Sequence, residues 1–168
     1  MFERFEPFDR IVVTGPQRSG TTICGKIIAH DLNYRYVDEM GVSVRDIKRV
    51  MAMFDSGERF VLQCPALCRY VHHFANRMDT AVIMMRRPIA AIIASQERID
   101  WTRRFEKEEL SHYGVTTGPI AAVKYAYWDA VQRRVIRFAF EVRYEDLAGH
   151  PLWVDQADRK QFKPKQTA

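Results

Sequence analysis

Between Val12 and Ile23 the chain reads VVTGPQRSGTTI. Gly15 and Gly20 stand five apart, enclose Arg18 and Ser19, and are followed by Thr21 and Thr22. Glycines at such places let the backbone curl until successive amides face one point. The residues that follow repeat at helical spacing through Ile23, Ile27, Ile28 and Leu32. The unpaired amides and positive dipole end of that helix therefore face the same point as the loop. The chemistry implied is the holding of an anion, with hydroxyls as further donors. Arg18 adds a planar fork of donors suited to a tetrahedral oxyanion. A bare strand-to-helix turn is the plainer alternative, but the whole string favours an anion site.

Elements must place this loop. RIVVTG, residues 10–15, is a short apolar β-branched run closed by glycine and reads as a buried strand. YRYVDE and RFVLQC read as the second and third strands, TAVIMM as a fourth buried on both faces, and RFAFEVRYEDL as a fifth. Helices are expected over 20–32, about 44–54, 66–78 after Pro65, a long stretch from Pro88, and about 120–135. The alternation implies an α/β fold: a three-layer arrangement of one parallel sheet flanked by helices, like that of the P-loop NTPases. Those NTPases put lysine directly after the second glycine of the loop, however. Here Thr21 occupies that place, and Lys26 comes one helical turn too late.

The 168 residues suit a single domain, 47% hydrophobic and 28% charged. The charge of +5, from 26 basic and 21 acidic residues, fits an anionic ligand. No aromatic–basic pattern points to nucleic acid. The only locally biased stretch is a basic tail from about residue 155. The first ten residues carry charges throughout, unlike a signal peptide, and no apolar run is long enough to span a membrane. Cys24, Cys64 and Cys68 are odd in number and lack metal-ligand spacing, so buried thiols in a reducing, cytoplasmic compartment are expected, with no metal site.

RSGTT after a strand resembles the 5′-phosphosulfate loop of the sulfotransferases, in motif style closest to the bacterial and tyrosylprotein enzymes. Three further stretches keep that family's order: FVLQCP where a strand ends in Lys-x-Pro, VIMMRRPIAAIIAS where an arginine and a later serine hold the donor's 3′-phosphate, and EVRYEDL. The resemblance spans residues 11 to about 150. It implies a P-loop-type fold and 3′-phosphoadenosine-5′-phosphosulfate as co-substrate, with no metal. The acceptor is a hydroxyl or amine on a small molecule, glycan or peptide. Arg18, Ser19, Gly20, Thr21 and Thr22 map onto the 5′-phosphosulfate loop. Arg86, two before Pro88, maps onto the 3′-phosphate arginine, with Ser95 as its partner. The family spacing of eight from arginine to serine reaches Ala94 from Arg86; from Arg87 it reaches Ser95 but loses the spacer before Pro88, so either the helix start shifts slightly or the 3′ site is altered.

Glu39, 21 residues after Arg18, resembles the glutamate base of the tyrosylprotein enzymes, at the carboxyl end of the second strand. A solvated acidic turn made with Asp38 is an equally good reading of that pair. Gln63 stands where the family has its lysine; it can donate a hydrogen bond but carries no charge, and Lys26, Arg159, Lys160, Lys163 or Lys165 are the available substitutes. Trp101, Tyr125 and Trp128 are candidates for an acceptor pocket or, at helical spacing, for the core. His72 and His73 fall inside an expected helix and read as packing or surface residues. Two other functions fit less fully: a small P-loop kinase, with Asp38 or Glu39 as its carboxylate, and a degenerate protein that binds a bisphosphonucleotide without turnover.

Overall fold

The computed structural model describes residues 1–153 except 43, 45, 100–102 and 133–134; Trp101 and the basic tail lie outside the described residues. Five strands, β1 (Arg10–Thr14), β2 (Arg35–Val37), β3 (Phe60–Gln63), β4 (Thr80–Arg86) and β5 (Ala139–Arg143), form one parallel sheet in the order β2-β3-β1-β4-β5. Five α-helices accompany them: α1 (Thr21–Leu32), α2 (Ile47–Phe54), α3 (Ile89–Glu97), α4 (Arg103–Ser111) and α5 (Ile120–Tyr127). β1 is central, its Val12 in register with Leu62 of β3 and Val82 of β4.

Every residue of β1 and the first six of β4 are buried, because both faces of the sheet are covered. The two-residue pleat divides the strands between two cores. Val12, Leu62, Val82 and Met84 face Phe54, Val71, Ile92 and Trp128. Ile11, Val13, Ile83 and Met85 face Ile23, Ile27 and Ile28 of α1, together with Phe2, Phe5 and Phe8. Full burial of each such aliphatic side chain stabilises the fold by about 1.5–3 kcal/mol.

Several element ends differ from the sequence expectation, each for a local reason. β2 stops at Val37, because the Asp38 carboxylate accepts the Met40 amide at 3.1 Å and caps a 3-10 turn over Glu39–Gly41. Pro65–Phe74 winds as 3-10 turns instead of the expected α-helix. Two carbonyls at its start are taken by side chains: Thr14 Oγ1 donates to Cys64 O at 3.0 Å and Lys124 Nζ to Pro65 O at 3.2 Å. The stretch after Pro88 is two helices, α3 and α4, and α5 passes into a π-helical turn over Trp128–Gln132. YEDL is not a strand end: β5 closes at Arg143 and a 3-10 turn covers Glu145–Gly149. No helix among the described residues is long and apolar enough to cross a membrane. The three cysteines are free and buried; burial pushes the Cys64 and Cys68 thiols up to about 11 and Cys24 higher still.

Candidate active site

The phosphate-type loop joins the carboxyl end of β1 to α1, at the sheet edge where α/β folds take their ligands. Gly15 and Gly20 have φ of 145° and 99°, and Arg18 is left-handed at φ 70°. A non-glycine residue in that region costs roughly 1–2 kcal/mol, so the surroundings must hold it. They do so at three points. Ser19 Oγ donates to Pro16 O at 2.7 Å, Arg87 donates to Arg18 O at 2.9 Å, and Arg18 Nε donates to Ser95 Oγ at 3.2 Å. Gly20 is the N-cap of α1 and brings no side chain to its first amides, which leaves that helix end open to an anion.

Beside the loop lies a cavity of about 520 Å³. Arg18, Lys26, Arg87 and Arg98 line it, with Thr22, Ser95 and Tyr144, and no carboxylate does so among the described residues. Four cations around one opening make an electrostatic trap for a multiply charged anion. Ser95 is buried on α3, with Arg98 Nη2 3.5 Å from its hydroxyl. Arg87 lies over the Tyr144 ring, 4.1 Å from its centroid.

The sequence-derived residues divide between this cavity and its supports. Arg18, Gly20, Thr21, Thr22 and Ser95 line it; the Ser19 side chain is turned inward to Pro16 and shapes the loop. Arg86 faces elsewhere. Its guanidinium binds Asp129 at 2.5 Å and Glu141 at 2.7 Å and packs on Tyr125, tying β4 to β5 and to the π-helical turn. Successive residues at the end of a strand point to opposite sides, so Arg87 takes the cavity position. The register of eight residues from Arg87 to Ser95 is thus the one that joins an arginine and a serine in one cavity.

Gln63 is buried and fully engaged. Its Nε2 donates to Thr21 Oγ1 at 3.1 Å and its Oε1 accepts from the Tyr36 hydroxyl at 3.3 Å; that hydroxyl also lies 3.1 Å from Asp38 Oδ2. Gln63 therefore aligns the first residue of α1. Glu39 is half-buried. Burial and the Asp38 and Glu109 carboxylates push its acid up from the ordinary range, against the Lys124 charge, a direction that suits a proton acceptor. Tyr125 bonds the backbone of Arg87 and Trp128 is buried, so both belong to the core. His72 and His73 are exposed and line a separate cavity with Arg69, His112 and three tyrosines.

Sequence reasoning missed Arg98, Tyr144, Gln17 and Lys124. Arg98 follows Ser95 by three and so shares its helix face. Lys124 is a lone charge in IAAVKYAY, four residues after the buried Ile120, and that spacing puts it on the apolar face of α5.

No protein-family model and no curated protein matches this sequence. Among solved structures the chain is similar to a shikimate kinase from Acinetobacter baumannii in complex with shikimate. The TM-score is 0.54 at 15% identity, over 84% of this chain and 87% of that one. With the parallel sheet and the loop geometry, this likeness identifies the architecture: the chain has a P-loop-type α/β fold.

Proposed function

We propose that this chain is a nucleotide-dependent group transferase whose loop holds the donor's 5′-phosphate region and whose four-cation cavity holds a further phosphate. The observation that carries the reading is the cavity: Arg18, Lys26, Arg87 and Arg98 around the buried Ser95, at the mouth of the loop, without a lining carboxylate among the described residues. A bisphosphonucleotide matches that charge. 3′-Phosphoadenosine-5′-phosphosulfate is the donor of this class, and it supplies an activated sulfuryl group. The α1 amides and Arg18 hold its phosphosulfate oxygens, and Arg87, Arg98 and Ser95 the 3′-phosphate. Glu39 takes the proton of an acceptor hydroxyl or amine at the sheet edge. Transfer of this kind relies on in-line positioning and donors to the equatorial oxygens.

A second reading has its own support. The fold likeness is to a kinase, and Asp38 and Glu39 stand at the carboxyl end of β2, where a carboxylate for magnesium or for a base is needed. Phosphoryl transfer from a nucleoside triphosphate is backed by the fold at least as well as sulfuryl transfer, while the loop without lysine and the cation cavity favour the latter. Calorimetric titration with adenosine 3′,5′-bisphosphate, and with ATP in the presence and absence of magnesium, separates the two. Metal-independent bisphosphate binding that is lost in Arg18→Ala and Arg87→Ala supports the first. Preference for magnesium–ATP overturns it in favour of the kinase. Bisphosphate binding with no turnover over a broad acceptor panel identifies a binding protein.

A further inference from the structure

Lys124 lies on α5, away from the phosphate-type loop in sequence, yet it is fully buried beneath that loop. Its ε-amino group donates to three acceptors from three segments: the side-chain oxygen of Gln17 at 2.9 Å, the Pro65 carbonyl at 3.2 Å, and the Glu109 carboxylate of α4. Gln17 also donates to Glu109, at 3.2 Å. Loop, end of β3 and α4 thus meet at one buried charge.

Stability alone is a poor reason for such a cluster. Buried ion pairs replaced by apolar groups of similar size are often neutral or stabilising. What Lys124 does have is position. Gln17 immediately precedes Arg18, the residue held at φ 70°, and Pro65 follows the strand whose Gln63 aligns Thr21. The two places where a lysine is expected, position 21 of the loop and position 63 of β3, both lack one. Lys124 brings a cation to the same edge from the opposite side.

We infer that Lys124 is a positioning residue: through Gln17, Pro65 and Glu109 it fixes the tip of the loop in its left-handed geometry. The inference rests on the proposed phosphate role of the loop only for its functional meaning, and its test needs no nucleotide.

The test compares wild type, Lys124→Met and the double variant Lys124→Met/Glu109→Gln, which leaves no unpaired charge should the single variant fail to fold. Two quantities are read. Amide hydrogen exchange of residues 15 and 17–20 should rise at least about tenfold while β1 and β4 amides stay protected, because the opening is local. Urea unfolding of the same variants gives the loss of global stability, which should be smaller than the loss of protection in the loop. A merely structural lysine would raise exchange across the sheet in step with lost stability, and that result overturns the inference. Inorganic pyrophosphate and adenosine 3′,5′-bisphosphate titrations run alongside. If wild type binds neither, the proposed function falls, and Lys124 is judged on exchange and unfolding alone.

Discussion

Replacing Gly20 with alanine should remove both stability and anion affinity, and the contributions can be separated. A β-carbon at residue 20 would sit 2.4 Å from Cδ2 and 2.9 Å from Cε2 of Tyr144, at a backbone φ of 99°. The conformation alone costs about 1–2 kcal/mol for a residue with a β-carbon. Moving the ring adds about 1–3 kcal/mol of overpacking, because Tyr144 is itself wedged against Trp153 and under Arg87. A total near 3 kcal/mol lowers the melting temperature of a domain this size by roughly 6–12 °C. The Tyr144→Ala background removes the ring, so Gly20→Ala should there cost only the backbone part, with an interaction energy of about 1–3 kcal/mol between the two sites. Gly57, at φ 80° with nothing within 4 Å of an added β-carbon, serves as the control for the backbone part alone. Urea unfolding of the four cycle members and of Gly57→Ala measures all three quantities. Equal costs of Gly20→Ala with and without the Tyr144 ring would refute the packing argument, and a cost no larger than that of Gly57→Ala would refute the close approach itself.

The two neighbouring arginines should behave differently. Arg87→Ala loses hydrogen bonds to a charged ligand and should weaken bisphosphate binding by roughly 10- to 150-fold, whereas Arg86→Ala removes the cation shared by Asp129 and Glu141, lowers stability, and changes affinity by no more than about threefold; calorimetry and thermal unfolding read the contrast. Gln63→Leu removes the amide between Thr21 and Tyr36 and should cost about 1–3 kcal/mol in urea unfolding, and a neutral result would show that the amide does not hold the helix start. The pH dependence of Glu39 has a definite sign. Its folded acid is raised by burial and by Asp38, so its contribution to stability is fully present below the unfolded value of about 4.3 and is lost as pH rises through the higher folded value. Glu39→Gln should therefore be more stable than wild type near pH 7 and no more stable near pH 4, and a variant less stable at pH 7 would count against the raised acid.

How much of this was legible beforehand depended on whether the cause was local. The strand–loop–helix at residues 10–32 announces itself through β-branched residues, two glycines and a 3.6-residue repeat, all of which act within a few residues of one another. Parallel pairing followed from the uninterrupted apolar runs of β1 and β4. Element ends were less visible. The start of the Pro65–Phe74 segment is governed by Thr14 and Lys124, which lie 50 or more positions away. The exchange of Arg86 for Arg87 had the same origin: two adjacent arginines are equivalent in a string, and only Asp129 and Glu141 on later elements decide which one turns away from the cavity.

By itself the sequence determined the loop, the α/β alternation and the surplus of basic residues, because these rest on backbone freedom, periodicity and charge count. The tertiary structure alone decided which cations share one cavity, that Gln63 aligns Thr21, and that Lys124 lies beneath the loop. Burial, strand direction and ion pairing between distant segments fix those choices, and they come into being only when the chain is folded.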